Sequence, residues 1–275
     1  MKLKPIVFIA MNTKGGAYKS AILAFFYYIC SLLGVKPLVI ALDVNPGLLN
    51  QILIPHPTEK GKYLENPEVF SWDINSIEEA RAVLPLIVQK AIDEGRPIII
   101  DLPAKGGKTK GIYNLLRSGA LRYCTVIGIA PVRKNNLVLG GAIEAYEDIK
   151  PDRWIQVNFG AEPTEQTEPI DLYKALSDLK PNHVFQMEML EEDEAREIGQ
   201  QLPVPFAEIS EYAAAGGPAL SGLHVIGDYW NDSYPKVEEA VRKVAPELLA
   251  PPYQQVLPPD DPSEKAKSKK TDQTV

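Results

Sequence analysis

Three short runs early in the chain are apolar almost throughout: 5–11 (PIVFIAM), 37–42 (PLVIAL) and 97–102 (PIIIDL), the last broken only by Asp101 near its end. A strand with one face in water alternates polar and apolar residues. A continuous apolar run therefore reports a strand covered on both faces. Between these runs lie stretches with helical spacing. Residues 20–33 read as a helix stopped by Gly34. Ser76 reads as the N-cap of another, with Glu78 and Glu79 in its first turn and Gly95 beyond its end. Strands and helices in alternation predict an α/β fold: a mostly parallel sheet flanked by helices on both faces.

The pattern continues. Residues 124–130, 154–158 and 183–187 read as strands; 137–149, 170–179, 191–201 and 232–249 read as helices, the last amphipathic. With 275 residues, 45% hydrophobic and 24% charged, one large domain with a sizeable core is within reach. No repeat and no break in composition divides it. The domain is expected over 1–250. Residues 251–275 are Pro-rich and then polar, and are expected to form a disordered tail.

Charge and cysteines narrow the function classes. The net charge is −7 and the pI about 5.2, which disfavours nucleic-acid binding, because neutralising phosphates takes clustered Lys and Arg. The apolar stretch before Asn12 ends too early for a membrane span, and 21–35 is too short and carries Tyr27, Tyr28, Cys30 and Ser31. No secretory signal is visible. Cys30 and Cys124 stand far apart, form no CxxC pair and join no Cys/His cluster of metal-ligand spacing. They read as buried thiols in a reducing, cytoplasmic compartment.

Between the first strand and first helix stands Thr13-Lys14-Gly15-Gly16-Ala17-Tyr18-Lys19-Ser20. Backbone N–H groups of a Gly-rich turn and the positive end of a helix converge there, which suits a phosphate. Lys19 would set a point charge against the β/γ-phosphates, and the Ser20 hydroxyl would be a ligand to Mg²⁺. The ordinary pattern GxxxxGK[ST] is not met, since Thr13 and Tyr18 occupy its two glycine positions. Taken alone, the stretch also fits a Gly-rich turn with incidental lysines.

Lys14-Gly15-Gly16-x-x-Lys19-Ser20 resembles the deviant Walker A box of the ParA and MinD ATPases, KGGxGK[ST], of the P-loop NTPase type. The resemblance implies that Lys14, Gly15, Gly16, Ala17, Tyr18, Lys19 and Ser20 bind ATP. It implies too that Lys14 is the signature lysine, which reaches the partner's phosphates across an ATP-dependent homodimer. Asp43 follows Lys19 by 24 residues at the end of the second apolar run, matching the family's catalytic aspartate that orients the attacking water. The strand 98–102 followed by Pro103-Ala104 resembles the Walker B strand, where Asp101 would hold Mg²⁺ through water. Asn158, at a strand end, matches an asparagine that contacts the adenine ring in related proteins. Residues 203–206 and 217–218 resemble the late base-flanking loop. The plainer alternatives are a turn cap for Asp43, a turn former for Asp101 and a polar strand terminus for Asn158. The resemblance covers 3–225 in architecture.

Tyr18 is the main departure from the family pattern. A glycine there lets the backbone approach the phosphates closely, so a tyrosine implies slow turnover, as befits a switch. The leading expectation is a ParA-type partition or positioning ATPase that uses ATP and Mg²⁺, dimerises, and is stimulated by a ParB-like or adaptor protein. Lys105, Lys108 and Lys110 in a switch-loop position, and the lysines of 265–270, leave non-specific DNA open as a partner surface despite the acidic balance. A MinD-like membrane helix is disfavoured, because the C-terminus is Pro-rich and hydrophilic. The alternatives are a non-hydrolysing, nucleotide-gated scaffold and a metabolic enzyme on the same fold.

Overall fold

A computed structural model describes residues 4–15, 17–42, 47–54, 64–71, 77–103, 116, 120–160, 170–188, 223–250 and 253. Within them the strands are β1 (Ile6–Ala10), β2 (Leu38–Ala41), β3 (Val69–Ser71), β4 (Ile98–Asp101), β5 (Thr125–Val132), β6 (Arg153–Phe159) and β7 (His183–Met187). The helices are α1 (Lys19–Leu32), α2 (Leu49–Ile52), α3 (Ile77–Glu94), α4 (Asn136–Ile149), α5 (Ile170–Asp178) and α6 (Leu223–Val244). The strands form one sheet in the order β3-β2-β4-β1-β5-β6-β7. Every neighbouring pair is parallel.

The continuous apolar runs have the predicted cause. In β1, Ile6, Phe8 and Ala10 face one side and Val7 and Ile9 the other, and all are buried. The first side is covered by α1, α2 and α6 through residues such as Ile22, Phe25, Ile52 and Val237. The second is covered by α3, α4 and α5 through Ile87, Val88, Leu139, Ala142 and Leu176. Cys30 belongs to the first layer and Cys124 to the second, so the two thiols are buried on opposite faces of the sheet.

Local chemistry sets the helix ends. Gly34 has φ 75, a left-handed conformation that costs glycine little. It lets Val35 N donate to Cys30 O (2.9 Å) and Gly34 N to Ser31 O (3.0 Å), closing the carbonyl end of α1. At the start of α4, the Asn135 side chain accepts from Leu137 N (2.9 Å) and Val138 N (3.3 Å).

Some elements differ from the sequence expectation. β3 and α2 are additional; each is too short to show a period. The strand expected to stop at Ala130 continues to Val132. Its pairing with β1 ends at Ile129, so Pro131 removes no donor needed on that side. The last helix begins at Leu223, ahead of the expected 232, because Trp230 packs face to face on Phe25 with ring centroids 3.9 Å apart. It ends at Val244, and a separate 3-10 turn, Pro246–Leu249, follows. Arg153 holds that turn by donating to Val244 O (2.7 Å) and to both Glu247 oxygens (2.9 and 2.5 Å). Tyr253, within the stretch read as tail, is 1% exposed. Its hydroxyl accepts from Ile6 N (3.0 Å) and donates to Lys4 O (3.1 Å), so the packed domain extends at least that far. The expected helix 191–201, the lysine stretch 105–110 and residues 203–206, 217–218 and 265–270 lie outside the described residues.

β1 sits between β4 and β5. The connection after β1 enters α1 on one face, whereas α3, α4 and α5 lie on the other. Connections thus diverge above the carboxyl end of β1, where open α/β sheets form their ligand crevice.

Candidate functional site

The loop from Met11 to Tyr18 leaves β1 at this point and is fastened on its first half by Asn12. That side chain is fully buried. Its Nδ2 donates to Pro131 O (3.0 Å) and Val138 O (2.9 Å), and its Oδ1 accepts from Lys14 N (3.0 Å). Thr13 adds two links to α4: its N–H donates to Gly141 O (3.3 Å) and its Oγ1 to Glu144 Oε2 (3.0 Å). The approach of α4 is close because residue 141 is glycine. A Cβ there would stand 2.7 Å from Asn12 Oδ1, 2.9 Å from Lys14 Cγ and 2.9 Å from Thr13 Oγ1.

On its second half the loop turns into α1 through Tyr18, whose backbone is left-handed (φ 57, ψ 24). The helix has no side-chain cap at its N-terminus and no acidic residue in its first turn. Among the described residues its leading N–H groups meet no capping side chain, and a helix N-terminus of that kind suits an anion. Lys19 is 7% exposed and its Nζ donates to Lys14 O (3.0 Å), folding the ammonium back over the loop. Ser20 donates its hydroxyl to Asp101 Oδ2 (2.8 Å), and Asp101 is 2% exposed at the end of β4. Gly47, beyond β2, abuts the same serine: a Cβ there would lie 2.9 Å from Ser20 Oγ.

Lys19 thus meets the Lys14 carbonyl, and Ser20, next in the chain, meets Asp101. Gly15 and Ala17 lie in the same loop. Gly16 and Asp43 lie outside the described residues. Asn158 stands apart from this cluster in its contacts. It is 2% exposed at the end of β6, accepts from Gln156 Nε2 (2.9 Å) and donates to Tyr173 OH (3.4 Å), on the side of the sheet that α5 covers.

The donor set suits a divalent cation. A hydroxyl and a buried carboxylate 2.8 Å apart are hard oxygen ligands, the type Mg²⁺ takes, and the cation needs only to part that hydrogen bond. Among the described residues, no cluster of three or more His, Cys, Asp or Glu could hold a metal without further ligands. A Mg²⁺ here would draw its remaining ligands from phosphate and water.

Four contributors were not read from the sequence: Asn12, Gly141, Glu144 and Phe159. An asparagine directly after a buried strand and before a Gly-rich turn was a usable signal, since its amide can stand in for backbone groups. The other three act across more than a hundred residues and leave no local pattern.

β1, the loop after it and α1 form a strand–loop–helix unit at the middle of an all-parallel α/β sheet. No protein-family model matches the chain, and no curated protein matches it. Among solved structures it is similar to the MinD cell division protein of Aquifex aeolicus, with 16% identity over 83% of this chain and 96% of that one, and a TM-score of 0.45. It is also similar to the ATP complex of McdA from Cyanothece (12% identity, 83% and 97% covered, TM-score 0.44). A third is a nucleotide-binding protein from Archaeoglobus fulgidus in complex with ADP (14% identity, 93% and 92% covered, TM-score 0.39).

Among the described residues, no helix is long and apolar enough to cross a membrane.

Proposed function

We propose that the chain is a nucleotide-dependent switch ATPase of the ParA/MinD type, which binds ATP at the loop between β1 and α1. The observation that carries this reading is the junction of three groups. Buried Lys19 folds over the loop, and the Ser20 hydroxyl meets the buried Asp101 carboxylate beside it. An ammonium is a partner for phosphate, and a hydroxyl with a carboxylate is a partner for a hard cation. A triphosphate and its cation would engage both.

In this reading the loop N–H groups and Lys19 hold the β- and γ-phosphates. Ser20 and Asp101 would hold Mg²⁺. Bound there, the cation would neutralise phosphate charge as it develops. Asp43 orients the attacking water, and Lys14 reaches the phosphates of a second copy in an ATP-dependent dimer. Asn158 is retained as the adenine contact, provided its amide exchanges Tyr173 for the base. A stimulating partner of the ParB-like or adaptor kind, and a non-specific DNA surface, complete a partition or positioning cycle.

The metabolic alternative of an iron–sulfur reductase has little support, because Cys30 and Cys124 are buried on opposite faces. The test is ATP hydrolysis by the purified chain with Mg²⁺, with and without duplex DNA at low salt. Slow turnover that DNA changes is the expected result. Nucleotide binding without turnover would replace the switch with a gated scaffold, and absence of binding would overturn the reading.

A further inference from the structure

We infer that Tyr18 is a positioning residue, which holds the phosphate loop in its nucleotide-ready shape by stacking on Phe159; this rests on the nucleotide-site reading above. The tyrosine stands where the P-loop pattern has glycine, and its backbone takes the left-handed conformation (φ 57) that glycine adopts readily and other residues seldom do. Its side chain must offset that disadvantage, and the contacts that do so are visible. The ring stacks on Phe159, with centroids 4.9 Å apart and planes 20° from parallel. The Arg133 guanidinium lies 5.5 Å from the Tyr18 ring centroid. Phe159 is 3% exposed at the end of β6, and Arg133 directly follows β5. One side chain thus joins the last residue of the loop to the carboxyl ends of two strands.

The position matters because of what precedes and follows it. Gly15, Gly16 and Ala17 have little or no side chain with which to anchor the turn. Asn12 fastens its first half, and Tyr18 fastens its second. The Tyr18 carbonyl accepts from Ile22 N (3.1 Å), the first hydrogen bond of α1, so fixing this residue fixes the direction in which Lys19 and Ser20 enter the helix. An ordered loop spares the ligand the cost of ordering it, whereas a third flexible residue would add to that cost. The bulk that the sequence presents as an obstruction is, in the folded chain, an anchor turned onto β6.

The experiment compares the full-length parent with Tyr18→Gly, Tyr18→Phe and Phe159→Leu, by calorimetric titration with Mg-ATP and by thermal melting. Glycine accepts φ 57 without strain, so Tyr18→Gly keeps its fold and its melting temperature reports directly on stability. The expected result is parental affinity for Tyr18→Phe, and roughly tenfold weaker binding for Tyr18→Gly and for Phe159→Leu, about 1.4 kcal/mol each. Combining Tyr18→Gly with Phe159→Leu should weaken binding by less than the product of the two. Parental or tighter binding by Tyr18→Gly overturns the inference while the nucleotide reading stands. Weaker binding that merely tracks a collapse of the melting transition also overturns it, because the role would then be structural. Failure of the parent to bind Mg-ATP overturns both.

Discussion

The Ser20 hydroxyl donates to the Asp101 carboxylate across 2.8 Å, tying the first turn of α1 to the end of β4 beside the buried ammonium of Lys19. Both groups are oxygen ligands of the kind a divalent cation takes, so the bond is the one that a bound Mg²⁺ would exchange. Ser20→Ala should bind ATP equally with and without Mg²⁺, while the parent binds more tightly with it. Lys19→Ala should weaken Mg-ATP binding about 10–100-fold or more, the range of a charge-assisted hydrogen bond lost to a desolvated phosphate. Calorimetric titrations check both. Unchanged affinity in Lys19→Ala would remove the phosphate assignment.

Lys14 is held differently from Lys19. Its N–H donates to Asn12 and its carbonyl accepts from Lys19, but its side chain is half-buried and packs its stem near Gly141. The backbone builds the loop, and the ammonium is left for another role. Lys14→Gln should therefore keep monomeric ATP binding within about threefold, less than 1 kcal/mol, and reduce ATP-dependent dimerisation. Light scattering with and without ATP decides the point, and an identical dimer in variant and parent rejects the cross-subunit role.

What the sequence showed, and what it hid, follows from the range of the interactions. β1, β2 and β4 were legible because every residue in them is buried, which leaves short branched apolar runs bounded by Pro and turn residues. β3 was not, because three half-paired edge residues, Val69–Ser71, make no pattern. Lys14, Lys19 and Ser20 were legible because a loop and its helix are contiguous. Asp101 was legible because it ends a buried strand. The Thr13–Glu144 bond spans 131 residues, and the Tyr18–Phe159 stack links residues on two different elements. Such pairs depend on sheet order, and only the fold supplies that. For the same reason the sequence shows a bulky Tyr18 in place of glycine, but not the Phe159 ring on which it rests.

The two thiols give a test of the layered core. Burial pushes the Cys30 thiol up to about 12, and burial with the nearby Asp152 carboxylate pushes Cys124 up to about 12. Thiolate is the reactive form, so neither should react with Ellman's reagent at pH 8 in the folded chain. Both should react once guanidinium unfolds it. Fast labelling of Cys30 in the native state would mean that α1 is not seated on the sheet as described.

The Arg153–Glu247 pair, which closes the 3-10 turn after α6, gives a pH dependence. The hydrogen bond from Arg153 holds the Glu247 carboxyl below its ordinary value of 4.5. A carboxyl depressed in the folded state adds stability above its unfolded pKa and loses it as pH falls through the folded one. The side chains are 32% and 41% exposed, so solvent screens the pair and its worth is about 0.5–1 kcal/mol. Glu247→Gln should destabilise the chain by that amount at pH 7. The difference should vanish as the pH falls below about 4.5, measured by urea unfolding at both values. A gap that persists in acid would assign the loss to packing.

The adjacent glycines of α4 separate helix propensity from site geometry. Gly140 has nothing within 4 Å of a built Cβ, whereas a Cβ at Gly141 would press on Asn12 Oδ1, Lys14 Cγ and Thr13 Oγ1 at 2.7–2.9 Å. Alanine favours a helix over glycine by about 0.5–1 kcal/mol at either position. Gly140→Ala should gain that stability and leave nucleotide affinity alone. Gly141→Ala should lose about 1–3 kcal/mol through overpacking, because Asn12 is fixed by three hydrogen bonds and cannot withdraw. It should also weaken Mg-ATP binding, since the atoms it displaces belong to the loop. Melting curves and titrations of the two variants check this side by side. If they behaved alike, the contact of α4 with the phosphate loop would not position the site.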